Sequence, residues 1–266
     1  MKLKGCHALI TGASAGLGWE FASQLATQAD SLVLVARRTE RLEELRSELT
    51  GRFPNLQIRV RATDLSDRAQ LEELCEWLGQ EGISVDLLVN NAGLGDLGAF
   101  ATSDPKRVDE MILVNMLALT SLTRHLLPAM LEQRSGAILN VSSSAGFLPL
   151  AGFAVYASTK AYVTSFSEGL RAELRGTGVT VTALCPGPVH TEFSQAAQRR
   201  DTKKEKATPG VGQVSARKVV RAGLDAIEAD LAIAIPGFIM KLGMAMVRMT
   251  PMPLLRAVSR FSTKPM

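Results

Sequence analysis

Tyr156 and Lys160 stand four residues apart in the run Tyr156-Ala157-Ser158-Thr159-Lys160. On a helix that spacing puts the phenol and the ammonium on one face. A phenol titrating near 10 is a poor base at neutral pH, and an adjacent cation draws its pKa down toward the working range. Such a pair suits moving a proton to or from an oxygen atom. Tyr156 is one of two tyrosines, and the other, Tyr162, has Phe166 instead of a lysine four residues on. Upstream lies Asn140-Val141-Ser142-Ser143-Ser144-Ala145-Gly146. A serine there is placed to hydrogen-bond a carbonyl oxygen, because strand C-termini are where open α/β sheets put their ligands. An exposed Tyr–Lys pair and a plain serine turn remain the competing reading.

A second chemistry is written near the N-terminus. Thr11-Gly12-Ala13-Ser14-Ala15-Gly16-Leu17-Gly18 follows an apolar run and opens a helix-like one. Glycines permit a tight turn and close backbone approach to a pyrophosphate, and the helix start supplies unpaired N–H donors. The next apolar run ends Val35-Ala36-Arg37-Arg38. No carboxylate stands there to hold a ribose 2′-hydroxyl, while two guanidiniums suit a 2′-phosphate, so NADP(H) is favoured over NAD(H). Solvated charges at a helix entry are the alternative.

These groups need a scaffold. Short apolar runs at residues 6–10, 31–36, 56–60, 85–90, 137–142, 179–184 and 231–235 alternate with helical stretches at 16–28, 40–50, 67–80, one reaching about 132, 153–175 and 215–229. That alternation predicts an α/β fold: a single doubly wound domain with a seven-stranded parallel sheet and a C-terminal helical tail. The expected catalytic domain spans 1–236. Its polar segment at about 190–213 is expected to order over substrate as a lid. Residues 237–266 form the tail, amphipathic, basic and broken at Pro251 and Pro253.

Composition narrows the class. With 46% hydrophobic residues the chain buries enough surface to exclude disorder. Three scattered cysteines (Cys6, Cys75, Cys185) exclude a disulfide scaffold and read as reduced, which predicts a cytoplasmic location. His7, His125 and His190 show no metal-ligand spacing with one another or with the cysteines, so no metal site is expected. No run of about 18 uncharged apolar residues is present, and no signal-peptide core. The net charge is +4, yet five basic residues and no acidic one follow Asp230, leaving 25 basic and 26 acidic in residues 1–230. The basicity belongs to the tail, and no motif points to nucleic acid. The tail has three open readings: packing on its own domain, a subunit contact, or an anionic membrane surface.

Together these residues resemble the short-chain dehydrogenase/reductase family over about residues 4–235. The match comprises Thr11-Gly12-x-x-x-Gly16-x-Gly18, Asp64-Leu65, Asn90-Asn91-Ala92-Gly93, Asn115, Ser143, Tyr156-x-x-x-Lys160 and Pro186-Gly187-x-Val189-x-Thr191. The resemblance implies a Rossmann-type domain and a role for each residue. Tyr156 would be the general acid for ketone reduction and the base for alcohol oxidation. Ser143, selected among the serines by its thirteen-residue distance from Tyr156, would polarise the reacting oxygen. Lys160 would hold the nicotinamide ribose and lower the Tyr156 pKa. Asn115 would hold a water linking Lys160 to a proton relay. Gly12, Ser14, Ala15, Gly16, Leu17 and Gly18 would cradle the phosphates, with Ser14, Arg37 and Arg38 on the 2′-phosphate. Asp64 and Leu65 would edge the adenine, Asn91, Ala92 and Gly93 the adenosine ribose, and Pro186, Gly187, Val189 and Thr191 the nicotinamide. NADP-preferring members often carry a basic residue where this chain has Ala15, which leaves Arg37 and Arg38 to carry the phosphate.

For substrate, Phe147, Leu150, Phe153 and Phe193 offer an apolar wall without fixed charge. The expected activity is NADPH-dependent reduction of a carbonyl, or the reverse alcohol oxidation, on a hydrophobic body such as a fatty acyl, steroid or retinoid-like compound, within lipid metabolism. The alternative is a non-catalytic NADP(H)-binding regulatory protein of the same fold. The resemblance also implies a homodimer or homotetramer.

Overall fold

The computed structural model describes residues 1–189, 191–199, 214–251 and 253–256. Seven strands are paired in parallel in the order β3-β2-β1-β4-β5-β6-β7. They are β1 (His7–Thr11), β2 (Ser31–Ala36), β3 (Gln57–Ala62), β4 (Leu87–Asn90), β5 (Gly136–Val141), β6 (Val179–Leu184) and β7 (Ile233–Ala234). The order reverses between β1 and β4, which opens a crevice at the C-terminal ends of those strands.

The central strands are apolar without alternation because helices cover both faces. Ala8 and Ile10 of β1 face one core with Leu32 and Leu34 of β2, and Leu9, Val33 and Val35 face the other. On the first face pack α1 (Gly16–Leu25), α2 (Thr39–Arg52) and α8 (Ala216–Glu228), through residues such as Phe21, Leu45 and Leu224. On the second pack α3 (Arg68–Gln80), α5 (Leu119–Glu132) and α6 (Ala154–Glu173), through Leu74, Leu122 and Leu170. The predicted class and strand set agree with this sheet. β4 starts two residues later than the apolar run, and β7 is only two residues long.

One departure matters for the site. The long helix expected to end near 132 is α4 (Pro105–Ile112), a π-helical turn (Leu113–Ala118) and then α5. The π turn inserts one residue into the ladder and reorients the side chains in it. The run Pro105–Glu132 is the one described stretch long and apolar enough to cross a bilayer. Here it packs along α6, with Val114, Leu122 and Leu126 in the core.

Within the expected lid, residues 191–199 carry α7 (Glu192–Ala196). His190 and residues 200–213 lie outside the described residues. In the tail, α9 (Phe238–Met249) and a turn at 253–256 are described, and Met252 and residues 257–266 are not.

Candidate active site

The crevice is a cleft of about 730 Å³ running from the β1–α1 turn to α6 and α7. At one end Gly12 and Gly16 adopt left-handed backbone with φ of 66° and 55°. A Cβ on Gly12 would lie 2.9 Å from the Ala92 Cα, so glycine is required by both conformation and space. Gly18 does not line the cleft; it lets α1 pack against the Gly12 carbonyl and the Asn91 amide. Thr11 Oγ1 ties the turn to the next strand, accepting from Asn91 N and Ala92 N, each at 3.0 Å. Ala15 caps α1 with no side-chain bond, so the first N–H groups of the helix keep their donors available.

Arg38 is held over this turn by Ser14. Its Nε donates to Ser14 Oγ at 3.3 Å and its Nη2 to the Ser14 carbonyl at 3.1 Å. Its Nη1 donates to Glu192 Oε2 at 3.0 Å. Arg37 stands 3.7 Å from Asp64 Oδ2. Asp64 also accepts from Ser66 N and Oγ, and these bonds with the Arg37 charge hold its carboxyl below the usual range against a burial penalty. A dinucleotide fits this cradle: an uncapped helix start, left-handed glycines and two guanidiniums beside it.

The other end belongs to β5 and α6. Ser142 is buried, its Oγ donating to the Lys160 carbonyl at 2.8 Å, so it is a structural tie. Ser143 turns into the cleft, its Oγ accepting from Ala145 N at 3.1 Å. Gly146 lets this loop lie on α6, since a Cβ there would sit 2.8 Å from Ala161 N. Tyr156 is 7% exposed, stacked on Phe153 with centroids 4.4 Å apart and covered by Phe193 at 5.5 Å. Burial pushes its phenol up to about 12, while a hydrogen bond with Ser143 pulls the other way.

Lys160, 4% exposed, donates from Nζ to the Val141 carbonyl at 2.8 Å. Burial lowers its ammonium to about 8. The expected lowering of the Tyr156 pKa by this cation is not what sets the phenol here: burial raises it and Ser143 is the group that lowers it. Gly93 makes room for the ammonium: a Cβ there would stand 3.4 Å from Nζ.

Asn115 sits in the π turn and is 1% exposed. Its Oδ1 accepts from Leu94 N at 2.8 Å, and its Nδ2 donates to Leu94 O at 2.9 Å and Thr159 Oγ1 at 3.0 Å. Its side chain is committed to holding the β4 loop against α6, and it lies behind the cleft wall rather than in it.

Along the cleft between the two ends stand Leu17, Leu65, Asn91, Ala92, Pro186, Gly187, Val189 and Thr191. Leu150, Phe153 and Phe193 line the cleft at the Tyr156 end. Phe147 does not: it turns away under the Arg248 guanidinium, 5.8 Å off, and Leu148 takes its place in the wall. The sequence reading missed Glu192, Leu94 and Leu97, which carry no motif and reach the cleft only through loop packing.

The model of the family described as short chain dehydrogenase matches residues 6–202. The chain belongs to that family. This short-chain dehydrogenase is an oxidoreductase with curated and solved relatives along most of its length. It is 40% identical to the NADP-dependent 3-hydroxy acid dehydrogenase YdfG of Escherichia coli over 203 residues, covering 75% of this chain and 79% of that one. A short-chain dehydrogenase from Sphingobium yanoikuyae, solved with NADPH, superposes with a TM-score of 0.78 at 31% identity, covering 86% of this chain and 87% of that one. The bulky-bulky ketone specific alcohol dehydrogenase of Comamonas testosteroni gives 0.77 at 29% identity, over 92% of each chain.

In this dehydrogenase the arrangement can deliver a proton from a buried, protonated phenol to an oxygen that Ser143 also contacts. Two donors aimed where negative charge develops stabilise an alkoxide. When bound, the nicotinamide cofactor supplies or accepts the hydride.

Proposed function

We propose that the protein is an NADP(H)-dependent carbonyl reductase acting reversibly on apolar ketones or aldehydes. The observation that carries the reading is the Ser143–Tyr156 pair opening on a wall of Leu94, Leu148, Leu150, Phe153 and Phe193. Ser143 and Tyr156 hold the reacting oxygen, and Tyr156 gives up the proton. A phenol pushed up to about 12 stays protonated at neutral pH, which suits the acid role in reduction. Lys160 and the Asn115 network keep the phenol and the β4 loop in register. The NADP preference rests on Arg37 and Arg38, and it agrees with the cofactors in the relatives' names.

The apolar substrate class is favoured over an acidic one by the state of Arg107, the cation besides Lys160 at that end of the cleft among the described residues. Its Nε and Nη2 donate to the Gly95 carbonyl at 3.3 and 2.9 Å, and it stands 3.6 Å from Glu110. That guanidinium is already engaged by the protein itself. The test is NADPH oxidation with neutral ketones and aldehydes of graded chain length beside matched keto acids. Catalytic efficiency should rise with apolar length and fall when a carboxylate is added. Efficiency highest with the short keto acids would defeat the substrate assignment. No turnover of any carbonyl, with NADPH still bound, would leave a binding protein instead of an enzyme.

A further inference from the structure

We propose that α9 docks this protein onto an anionic lipid surface. The helix has two apolar faces. Met240, Met244 and Val247 turn inward, Met244 being buried and Met240 lying against Gly187. Phe238, Ile239, Leu242, Met246 and Met249 turn outward, with Phe238 81% and Met249 85% exposed. At roughly 100° per residue the outward set covers a continuous arc of about 100°. Lys241 and Arg248 share one flank of the helix, past Ala245 from the Phe238 edge of that arc, with Lys241 toward the apolar stripe and Arg248 toward the domain; no acidic residue is on the helix. Leu254, beyond the proline break, is also exposed and extends the apolar set.

An outward apolar stripe on a helix that already has a core-facing one needs a second partner. Charge selects which. After Asp230 the sequence holds Lys241, Arg248, Arg256, Arg260 and Lys264 and no Asp or Glu, while the preceding 230 residues are slightly acidic in sum. A basic-bordered apolar stripe matches an interface of acyl chains under anionic headgroups. Methionines at 246 and 249 adapt to an irregular surface. A second copy would bring the same cations against each other without a carboxylate on either tail to meet them.

The inner side of α9 gives the docking a consequence. Met240 rests on the Pro186–Gly187 loop, and Arg248 covers Phe147 in the loop after Ser143 and stands 3.6 Å from Glu168 of α6. The docked helix is therefore one layer from both loops that frame the reacting end of the cleft. An apolar carbonyl compound dissolved in the lipid has a short path to Tyr156.

The experiment uses the full chain and vesicles of phosphatidylcholine with or without phosphatidylserine. Wild type should sediment with the anionic vesicles, and added salt should weaken this. The double variant Leu242→Glu, Met246→Glu replaces two exposed side chains outside the cleft. It should bind at least roughly tenfold more weakly and still turn over a water-soluble carbonyl at the wild-type rate. Wild type remaining in the supernatant with anionic vesicles would overturn the proposal, and so would equal binding to both vesicle types. Loss of a dimer in the double variant, with no vesicle binding by wild type, would show the stripe to be a subunit contact. The vesicle-binding and oligomer readings do not depend on turnover, so they stand apart from the assignment of substrate.

Discussion

Arg199 grips Asp96 with two hydrogen bonds, Nε to Oδ1 at 2.7 Å and Nη2 to Oδ2 at 2.5 Å. Nη1 of the same guanidinium donates to the Ala99 carbonyl at 2.9 Å and to Thr102 Oγ1 at 3.0 Å. The two side chains are 16% and 9% exposed. Leu97 N adds a bond to the Ala197 carbonyl at 2.7 Å. Together these bonds fasten the segment after α7 to the loop after β4, across the mouth of the cleft.

Asp96→Asn should loosen that fastening, because it leaves a largely buried guanidinium without its counter-charge. A several-fold rise in KM for the carbonyl substrate is expected, with kcat held or raised where release limits turnover. Steady-state kinetics at saturating NADPH decide it, and unchanged KM and kcat would remove the contact from function. The Arg199 bonds and charge hold the Asp96 carboxyl below its ordinary value. Its stabilising contribution is therefore complete above the usual carboxylate range and lost as pH falls through the depressed value. Acid below the ordinary carboxylate range should raise proteolytic cleavage in this segment, and Asp96→Asn should cancel that pH dependence.

Tyr156→Phe removes the proton donor and keeps the ring stacked between Phe153 and Phe193. Turnover should fall by roughly 10²–10⁴-fold, the usual worth of a positioned acid. NADPH affinity, followed by cofactor fluorescence, should change little. A variant with a near-normal rate would mean another group delivers the proton.

Lys160 titrates near 8 because it is buried, with Tyr156 and the Cys185 thiol as its titratable neighbours. Its folded pKa lies below the unfolded one, so carrying the charge costs stability below about 8, and the cost fades as pH rises toward the unfolded value of 10.5. Function runs the other way. The family resemblance assigns this ammonium to the nicotinamide ribose hydroxyls, and its loss of charge above about pH 8 should then weaken NADPH binding from there upward. Fluorescence titrations across neutral to alkaline pH would show the break. Lys160→Arg should flatten it, and a wild-type profile that is already flat would contradict the assignment.

Arg38→Ala should weaken NADPH at least about tenfold and leave NADH nearly unchanged, since only the former has a 2′-phosphate to lose. Glu192 competes for the same guanidinium at 3.0 Å. Glu192→Gln should therefore tighten NADPH binding by up to several-fold. Both side chains are about half exposed, so the effect on stability stays small. Equal changes for both cofactors in either variant would place the Arg38 contact elsewhere than on the phosphate.

The sheet was legible because its central strands are continuous apolar runs between helices with clear polar faces, as at Leu32–Val35. The Tyr156, Lys160 and glycine-loop positions were legible because local spacing alone brings them together. Phe147 was misjudged for the opposite reason: a strand-to-helix loop has no fixed period, and one residue of rotation put Leu148 in the wall instead. The π turn at Asn115 was hidden because its apolar pattern reads as ordinary helix. The Asp96–Arg199 contact spans 103 positions, and no local rule connects such residues.

The five residues of α7 join events at the two ends of the cleft. Glu192 answers to Arg38 at the cofactor's ribose end, the next residue, Phe193, lies over the Tyr156 ring, and three residues past the helix Arg199 is anchored to Asp96. A 2′-phosphate that takes Arg38 from Glu192 therefore acts on the same short helix that covers the catalytic phenol. By linkage, any substrate effect on the affinity for the phosphorylated cofactor through this helix would be matched by an equal effect of the cofactor on substrate affinity. The contacts of one short helix thus span both ends of the cleft.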